Sequence, residues 1–194
     1  MPLNELQFPV AYYANRAYFF ERSNRYSPTY LGGPSEVAFA KGRYSSTQLH
    51  HIFTITSSVI PEMQEDHVYE VPLFYGLRYS GCELTYRMPK NSTCKIVKLS
   101  PDEPSPNWPY PNYPSLLPYL PLSLARWEYC EPAEFVALTH QGLEIQPKTI
   151  VVIVPPIFTL GVSMWGKRGD AEGVQIIFEC DFKRKTIKAS NQST

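Results

Sequence analysis

Hydrophobic residues alternate with other residues along VPLFYGLRYSGCELTYRM, which runs from Val71 to Met88. An alternation with a period of two residues predicts β-strands. Two such strands flank Ser80-Gly81, and a two-residue connection that contains glycine favours a tight turn. The sequence therefore predicts a β-hairpin, whose alternating positions are Leu73, Tyr75, Leu77 and Tyr79, then Cys82, Leu84, Tyr86 and Met88.

A continuous apolar run, TIVVIVPP, extends from Thr149 to Pro156 and is rich in β-branched residues. Such a run is typical of a strand that is buried on both faces, so we predict that it lies inside a sheet. The later stretch VQIIFECDF alternates again and predicts a strand with one apolar face, formed by Val174, Ile176, Phe178 and Cys180.

The order strand, loop, strand occurs twice along the chain. IFTITSS begins at Ile52 and is followed by LFYGLRY at Leu73, and IFTLGVS begins at Ile157 and is followed after a similar interval by IIFECDF at Ile176. We therefore predict an α+β, mainly β fold, with a single domain over residues 1–194. Its two related β units, approximately residues 1–100 and 122–185, would form an internal pseudo-repeat that shares a sheet or packs face to face.

A proline-rich segment, PDEPSPNWPYPNYPSLLPYLP, joins these units over residues 101–121. Proline fixes φ and has no backbone donor, so this segment should run as an extended chain outside the sheet interior. A flexible linker would be rich in glycine and serine, whereas this segment carries leucine and aromatic side chains that favour burial. We predict an ordered crossover packed along the body, with a partner-docking strip and a free linker as the alternatives.

Three stretches show features of helices. EPAEFVALTHQG, from Glu131 to Gly142, has proline in its first turn, acidic residues near its start and glycine at its end. LNELQFPVAYYANRAYFF is predicted to be helical in parts, with an interruption at Pro9. For SLLPYLPLSLARWEY, a helix and a series of turns remain alternatives, because its prolines disfavour the interior of a helix. The basic run KRKTIK, from Lys183 to Lys188, is interpreted as part of a solvated, frayed terminus, and residues 186–194 are predicted to be a flexible tail.

Composition and charge limit the classes of partner. Hydrophobic residues make up 43% of the chain, and 18 basic residues balance 18 acidic residues. This composition predicts a folded protein. Its balanced charges produce no net electrostatic field that would attract nucleic acid, and no apolar run is long enough to predict a membrane span. The N-terminus does not resemble a signal peptide, and the four cysteines are widely spaced, which favours free thiols. We therefore expect a cytoplasmic protein that binds neither nucleic acid nor a membrane.

No motif in the sequence assembles a catalytic or metal-binding constellation. His50 and His51 would lie on opposite faces of a strand, which disfavours a shared metal. Cys82 falls on an apolar face, so we interpret it as a core residue and not as a nucleophile. The glycine-rich LGGPS, from Leu31 to Ser35, lacks the lysine of a phosphate-binding loop and predicts a tight turn. We predict no catalytic residue, no metal site and no cofactor.

Aromatic residues are the best candidates for a recognition surface. The chain contains 14 tyrosines and 3 tryptophans, and these side chains supply rigid contact area at interfaces. We predict a binding surface formed by Trp108, Tyr110, Tyr113 and Trp165. An aromatic core is the alternative.

Several stretches together resemble the YwqG-like family, a bacterial domain family of unknown biochemical function. The resemblance rests on LGGP at Leu31, LHHIFTITSSVIPE from Leu49, VPLFYGLRY from Val71 and MWGKRGDAEGVQIIFECDF from Met164. It implies a β-rich fold with an internal repeat, and it implies no catalytic residues.

The leading hypothesis for function is a soluble, non-enzymatic binding protein, and its specific form is a neutralising, immunity-type partner of another protein. This hypothesis rests on two observations: tyrosine, tryptophan and proline are abundant, and the sequence shows no catalytic motif. A hydrolase or transferase with a dispersed site is the first alternative. A structural subunit of a virus particle or another large assembly is the second. The sequence leaves the oligomeric state open.

Overall fold

One twelve-stranded sheet accounts for most of the chain that the structure describes. The computed structural model describes residues 7–44, 48–77, 82–100, 116–137, 143–155 and 174–193. The mainly β fold is thus confirmed. A 3₁₀ helix spans Pro61–Asp66 and an α-helix, α1, spans Pro132–Ala137. In chain order the strands are β1 Val10–Tyr13, β2 Arg16–Arg22, β3 Tyr30–Leu31, β4 Ala38–Phe39, β5 His50–Thr56, β6 Glu70–Tyr75, β7 Glu83–Lys90, β8 Thr93–Ser100, β9 Leu120–Tyr129, β10 Thr149–Val154, β11 Val174–Asp181 and β12 Thr186–Ser193.

The strand order is β4-β8-β7-β12-β11-β10-β1-β2-β9-β3-β5-β6. The pair β4–β8 is parallel, and the other described pairs are antiparallel. Strands from residues 1–100 and from residues 122–185 are interleaved in this order, so the two ranges do not form separate sheets. The segment that begins at Ile157 lies outside the described residues, and the internal repeat stays a prediction.

Strand β10 confirms the prediction of a strand buried on both faces. It lies between β1 and β11, and all its side chains are buried. Ile150, Val152 and Val154 belong to the larger core cluster, while Val151 and Ile153 belong to a smaller cluster that includes Phe135 of α1. In β11, Ile176, Phe178 and Cys180 share the larger core, as the alternation predicts. The side chain of Val174 lies outside the description.

The predicted hairpin over Val71 to Met88 is wrong in its pairing, although both its strands exist. Strand β6 pairs with β5, whereas β7 lies between β8 and β12. The Tyr86 hydroxyl of β7 instead accepts a hydrogen bond from Phe74 N–H at 2.9 Å and donates one to Pro72 O at 3.3 Å. These two groups lie along one backbone edge of β6, so a buried side chain takes the place of a neighbouring strand there.

The N-terminal stretch that we predicted to be partly helical forms the antiparallel pair β1–β2. Its connection is Ala14-Asn15, with φ of 49° and 57°. Two consecutive residues with positive φ make the kind of turn whose twist suits a two-residue hairpin. The alternation typical of a strand is absent from this stretch because both faces of β1 are buried and its apolar run is almost continuous.

The proline-rich segment is described only from Leu116 onward. Leu117 is buried, whereas Leu116 is exposed. The prediction that the segment stays outside the sheet interior is wrong at its end, because Pro121 lies in β9 between β2 and β3. Pro121 has no N–H to donate, but Pro121 O accepts from Ser23 N–H and Leu122 N–H donates to Thr29 O, both at 2.9 Å. The region from Leu120 onward is therefore neither helix nor turn.

The predicted flexible tail is a strand in the body of the sheet. Strand β12 pairs with β11 along its whole length and with β7 over Thr186 to Ala189. Ile187 and Ala189 are completely buried. The sequence does not predict this strand, because most of its residues are polar and its apolar residues occupy only one face.

The four cysteines are free, and Cys82, Cys94 and Cys180 are buried. Burial raises the pKa of the Cys82 thiol to about 12, as expected for a core residue and not for a nucleophile. Helix α1 begins at Pro132 as predicted, and the predicted C-terminal end at Gly142 lies outside the described residues. Among the described residues, no helix is long and apolar enough to cross a membrane.

Candidate binding site: a tyrosine-lined cleft

The four residues predicted to form the recognition surface, Trp108, Tyr110, Tyr113 and Trp165, lie outside the described residues. The structure describes another group of aromatic residues at the point where the proline-rich segment returns to the sheet. Tyr119, the last aromatic residue of that segment, packs there against tyrosines from the chain that precedes and forms β3. We refer to the group formed by Tyr26, Tyr30, Tyr119, Glu36 and Glu70 as the tyrosine cleft.

The LGGPS stretch adjoins this region, and the chain bends at Gly32 and Gly33 directly after β3. Gly32 and Gly33 adopt φ of 58° and 69°, a conformation that glycine takes without steric cost. Gly32 N–H donates to Ile52 O, and Gly33 N–H donates to Leu117 O, both at 2.9 Å. A Cβ atom on Gly32 would lie 2.2 Å from Pro118 O, so only glycine permits the proline-rich segment to approach this closely.

A buried histidine supports the same turn from within the core. The Nδ1 atom of His51 lies 2.6 Å from Gly32 O, and its Nε2 atom lies 2.7 Å from Thr54 Oγ1. Since a carbonyl oxygen only accepts, Nδ1 carries the proton and Nε2 of the neutral ring accepts from the threonine. Burial lowers the pKa of His51 to about 4, although the carbonyl contacts of Gly32 act in the opposite direction. His51 is therefore a neutral structural group near neutral pH.

Three tyrosine rings line the cleft above this support. Tyr26 stacks on Tyr119 with an interplanar angle of 15° and ring centroids 6.4 Å apart, and Tyr30 lies 5.0 Å from Tyr119. The Tyr119 hydroxyl donates to Ser27 O at 2.9 Å, and the Tyr30 hydroxyl donates to Pro34 O at 3.1 Å. Tyr26 is nevertheless 84% exposed and Tyr119 40% exposed. Hydrogen bonds thus hold the rings of Tyr30 and Tyr119, and the rings of Tyr26 and Tyr119 remain accessible.

Two carboxylates lie beside the rings. Glu36 and Glu70 line the same cleft of about 600 Å³, together with Val37 and Ser92. Partial burial, followed by the charge of Glu36, raises the pKa of Glu70 above its usual range. Within the described part of the chain, neither carboxylate forms an ion pair. Two like charges near one another without a cation favour a positively charged ligand.

A second cleft, of about 520 Å³, contains a hydrogen-bonded network in which the acidic group already has partners. Asp66 accepts hydrogen bonds from the Tyr13 hydroxyl and from Lys148 Nζ, the latter at 2.6 Å. Burial opposes ionisation of this carboxylate, but the bonds from Lys148 and Tyr13 hold its pKa below the usual range. Because the charge is already neutralised within the protein, we interpret this network as structural.

No group of three histidine, cysteine or acidic side chains within the described ranges comes close enough to hold a metal ion. Comparison of the chain with protein-family models, with curated proteins and with solved structures finds no match in any of the three. The site must therefore be interpreted from its own geometry.

Sequence reasoning missed most of the tyrosine cleft. Tyr26 and Tyr30 stand in RYSPTYLGGPSE, where serine, proline and glycine surround them. Tyrosines that alternate with turn-forming residues lack the periodicity of a strand or a helix, so they are candidates for exposed loops that bind ligands. Tyr119 belongs to the segment that we considered for docking, but its contact with the glycine turn depends on the fold.

Proposed function

We propose that this protein is a non-enzymatic binding protein that captures another protein through the tyrosine cleft. The observation that carries the proposal is the exposed Tyr26–Tyr119 stack beside Glu36 and Glu70, two carboxylates without an internal cation. The group bound would be a cationic side chain of the partner, above all an arginine.

The chemistry of the cleft favours such a group. A guanidinium stacks on the face of a tyrosine ring and pairs with a carboxylate through two parallel hydrogen bonds. Tyrosine is also among the residues that contribute most to binding energy in protein interfaces. The cleft offers both kinds of contact to one ligand.

The support beneath the cleft also favours binding. Gly32, Gly33 and His51 fix the turn against the residues that precede Tyr119. A site that is already ordered loses less conformational entropy when its partner binds. We expect the tyrosine rings to keep their places upon binding.

The finer parts of the hypothesis belong to the same proposal. The partner would be a protein that this chain neutralises in the cytoplasm. Trp108, Tyr110, Tyr113 and Trp165 would extend the contact surface. The resemblance to the YwqG-like family and the internal repeat of two β units likewise stay proposals.

Affinity capture with matched variants tests the proposal. Tagged wild-type protein, the double variant Tyr26→Ala/Glu36→Gln and the control Tyr129→Ala would each be incubated with lysate of the native host. Tyr129 is 65% exposed and does not line the tyrosine cleft, so it matches Tyr26 in type and exposure. We expect one stoichiometric partner with the wild type and the control, released by high salt, and none with the double variant. Equal capture by all three proteins would refute the role of the cleft.

A hydrolase is the second candidate, and the Glu36–Glu70 pair favours it. Two carboxylates of which one has a raised pKa are the arrangement that glycosidases use for general acid catalysis, and aromatic rings often bind sugars beside them. A screen of chromogenic glycosides with the wild type and with Glu70→Gln distinguishes this candidate. Turnover that depends on Glu70 would favour it over simple binding.

A further inference from the structure

A third cleft, of about 660 Å³, is lined by four basic residues and, among the residues that the structure describes, by no acidic one. We call it the basic cleft. It lies where the β7–β8 turn meets the turn before β12, and the residues that matter here are Arg87, Met88, Pro89, Lys90, Lys95 and Lys185.

Strand register explains why these cations meet. Arg87 lies opposite Lys95 on β8 and opposite Thr186 on β12. The neighbouring Met88 N–H donates to Lys185 O at 2.9 Å, which fixes Lys185 beside β7. The β7–β8 hairpin and the turn before β12, which are distant in sequence, thus bring positive charge to one place. The KRKTIK run contributes to this cleft through Lys185, which our sequence-based interpretation as a solvated tail did not predict.

The arrangement has a cost in the free protein. Like charges on directly opposed strand positions destabilise a sheet, and Arg87 and Lys95 form such a pair. Arg87 is partly satisfied, because its guanidinium donates to Arg184 O at 3.2 Å. In the described part of the chain, Lys90 and Lys95 form no ion pair.

Three acidic residues near these elements have basic partners, whereas Glu36 and Glu70 line the neighbouring tyrosine cleft together with Ser92 of the β7–β8 turn. Asp181 pairs with Arg184 at 3.3 Å, and Glu83 pairs with Lys98 at 3.9 Å toward the other end of β7. Lys185 Nζ donates to the backbone oxygen of Asp66 at 3.4 Å, while the carboxylate of Asp66 binds Lys148 and Tyr13. The charge of Lys185 also helps to lower the pKa of the Asp66 carboxylate, so Lys185 is partly compensated. Within the described residues, Arg87, Lys90 and Lys95 form no ion pair with any acidic side chain.

We infer that the basic cleft is a binding site for a phosphate ester, a function separate from the tyrosine cleft. Arg87, Lys90, Lys95 and Lys185 hold the phosphate groups, since a guanidinium and ammonium groups are the usual partners of phosphate oxygens. Met88 and Pro89 provide an apolar surface for the organic part of the ligand. Recognition of a multiply charged anion explains why a repulsive pair is placed here without a counterion.

Titration calorimetry with sodium pyrophosphate and with adenosine diphosphate, at constant ionic strength, tests this inference. The test variants are Lys95→Gln and Lys185→Gly, and Lys98→Gln is the control. Lys185 has φ of 53°, so glycine removes the charge and accepts the backbone conformation. Lys98 lies on the same strand as Lys95 but outside the cleft.

We expect both ligands to bind the wild type and the control, and each test variant to bind about tenfold more weakly. The melting temperature of Lys95→Gln should equal or exceed that of the wild type, because the substitution relieves repulsion. A purely structural lysine would not combine retained stability with lost binding. Absence of binding to the wild type, or equal binding by all variants, would overturn the inference.

Comparison of the two ligands tests the role of the apolar surface. Tighter binding of adenosine diphosphate than of pyrophosphate supports contact of Met88 and Pro89 with the organic part. Equal affinity would show that the site recognises the phosphate groups alone and would overturn that part of the inference. The Tyr26→Ala/Glu36→Gln variant should bind both ligands as the wild type does, so failure of one proposal does not affect the other.

Discussion

At the scale of single residues, one buried polar side chain in the described part of the molecule makes hydrogen bonds that stabilise the fold. His51 is only 7% exposed, yet both its ring nitrogens have partners. A buried group that is satisfied in its neutral form resists protonation, because the charge would have to be placed in a poorly solvated environment. Stability near the LGGPS turn should therefore depend on pH.

We expect the free energy of unfolding to fall as pH decreases from about 6.5 to about 4. The pKa of His51 is depressed in the folded state, so the unfolded chain takes up a proton first in this interval. The contribution of neutral His51 to the free energy of unfolding is fully present above about pH 6.5. About 3 kcal/mol of it is lost by pH 4. Urea unfolding at a series of pH values measures it.

The variant His51→Asn isolates this effect. An amide still offers one donor and one acceptor, but it does not titrate. Its stability should be lower than that of the wild type at pH 7 and should change less between pH 6.5 and 4. His67→Asn, at an exposed position with φ of 55°, is the control and should keep the wild-type dependence. A slope that survives in His51→Asn would assign the effect to other groups.

At the scale of elements, strand pairing differs from the local pattern. Alternation identifies the strands β6 and β7, but it does not identify their partners, since any strand with a matching apolar face satisfies it. β6 finds β5 on one side, and on its other side the Tyr86 hydroxyl satisfies backbone groups. The hydrogen bonds of the Tyr86 hydroxyl thus satisfy backbone groups at the end of the sheet where no further described strand pairs with β6.

Tyr86→Phe should destabilise the protein by about 1–3 kcal/mol, the cost of leaving buried polar groups without partners. The substitution removes one oxygen and leaves the Phe74 amide and the Pro72 carbonyl unsatisfied. Chemical denaturation measures the loss, and hydrogen exchange of the Phe74 amide should become faster. Tyr129→Phe, at a strongly exposed position, is the control and should change stability by less than about 0.5 kcal/mol. Equal effects of the two substitutions would contradict the role of Tyr86.

The C-terminal strand provides a second prediction at this scale. Ile187 is completely buried, whereas its neighbour Lys188 faces solvent and pairs with Glu179 at 3.0 Å. Ile187→Ala should therefore cost about 2–5 kcal/mol, as truncations in a core do. Lys188→Ala should cost less than about 1 kcal/mol, as expected for an exposed ion pair. A flexible tail would give negligible values for both, so thermal unfolding of the two variants decides between strand and tail.

At the scale of the whole molecule, the sequence predicts strands where local chemistry determines them. The β-branched run of β10 and the alternation of β11 lead directly to buried strands. Strands β1 and β9 are not apparent from the sequence, since β1 is buried on both faces and the second residue of β9 is Pro121. Their conformation depends on neighbouring strands that are distant in sequence, and tertiary context overrides local propensity in such cases.

The candidate site was predictable only in part, for the same reason. The glycines of LGGPS indicate a turn from sequence alone. The contact of that turn with Pro118 and the stack of Tyr26 on Tyr119 require the fold, because they join residues that are distant in sequence. The four cations of the basic cleft likewise meet only through the register of β7, β8 and β12.

Asp66 links several of these distant segments. Its carboxylate accepts from Tyr13 at the end of β1 and from Lys148 just before β10, and its backbone oxygen accepts from Lys185 before β12. Glu62 in the same 3₁₀ helix accepts from Tyr18 at 2.9 Å and pairs with Arg16. One short helix therefore fixes the end of the β1–β2 hairpin to two other strands of the sheet.

We expect Asp66→Ala to destabilise the protein by about 1–3 kcal/mol at pH 7, because Tyr13 and Lys148 lose a charged acceptor. The folded-state pKa of Asp66 is lowered, so its contribution is present above the unfolded value of about 3.9 and is lost as pH falls through the folded value. Urea unfolding at pH 7 and below pH 4 should show that wild type and variant converge in acid. Glu65→Ala, at the exposed neighbouring position, is the control and should follow the wild type at both pH values. If Asp66→Ala matched this control at pH 7, the carboxylate would not hold the three segments together.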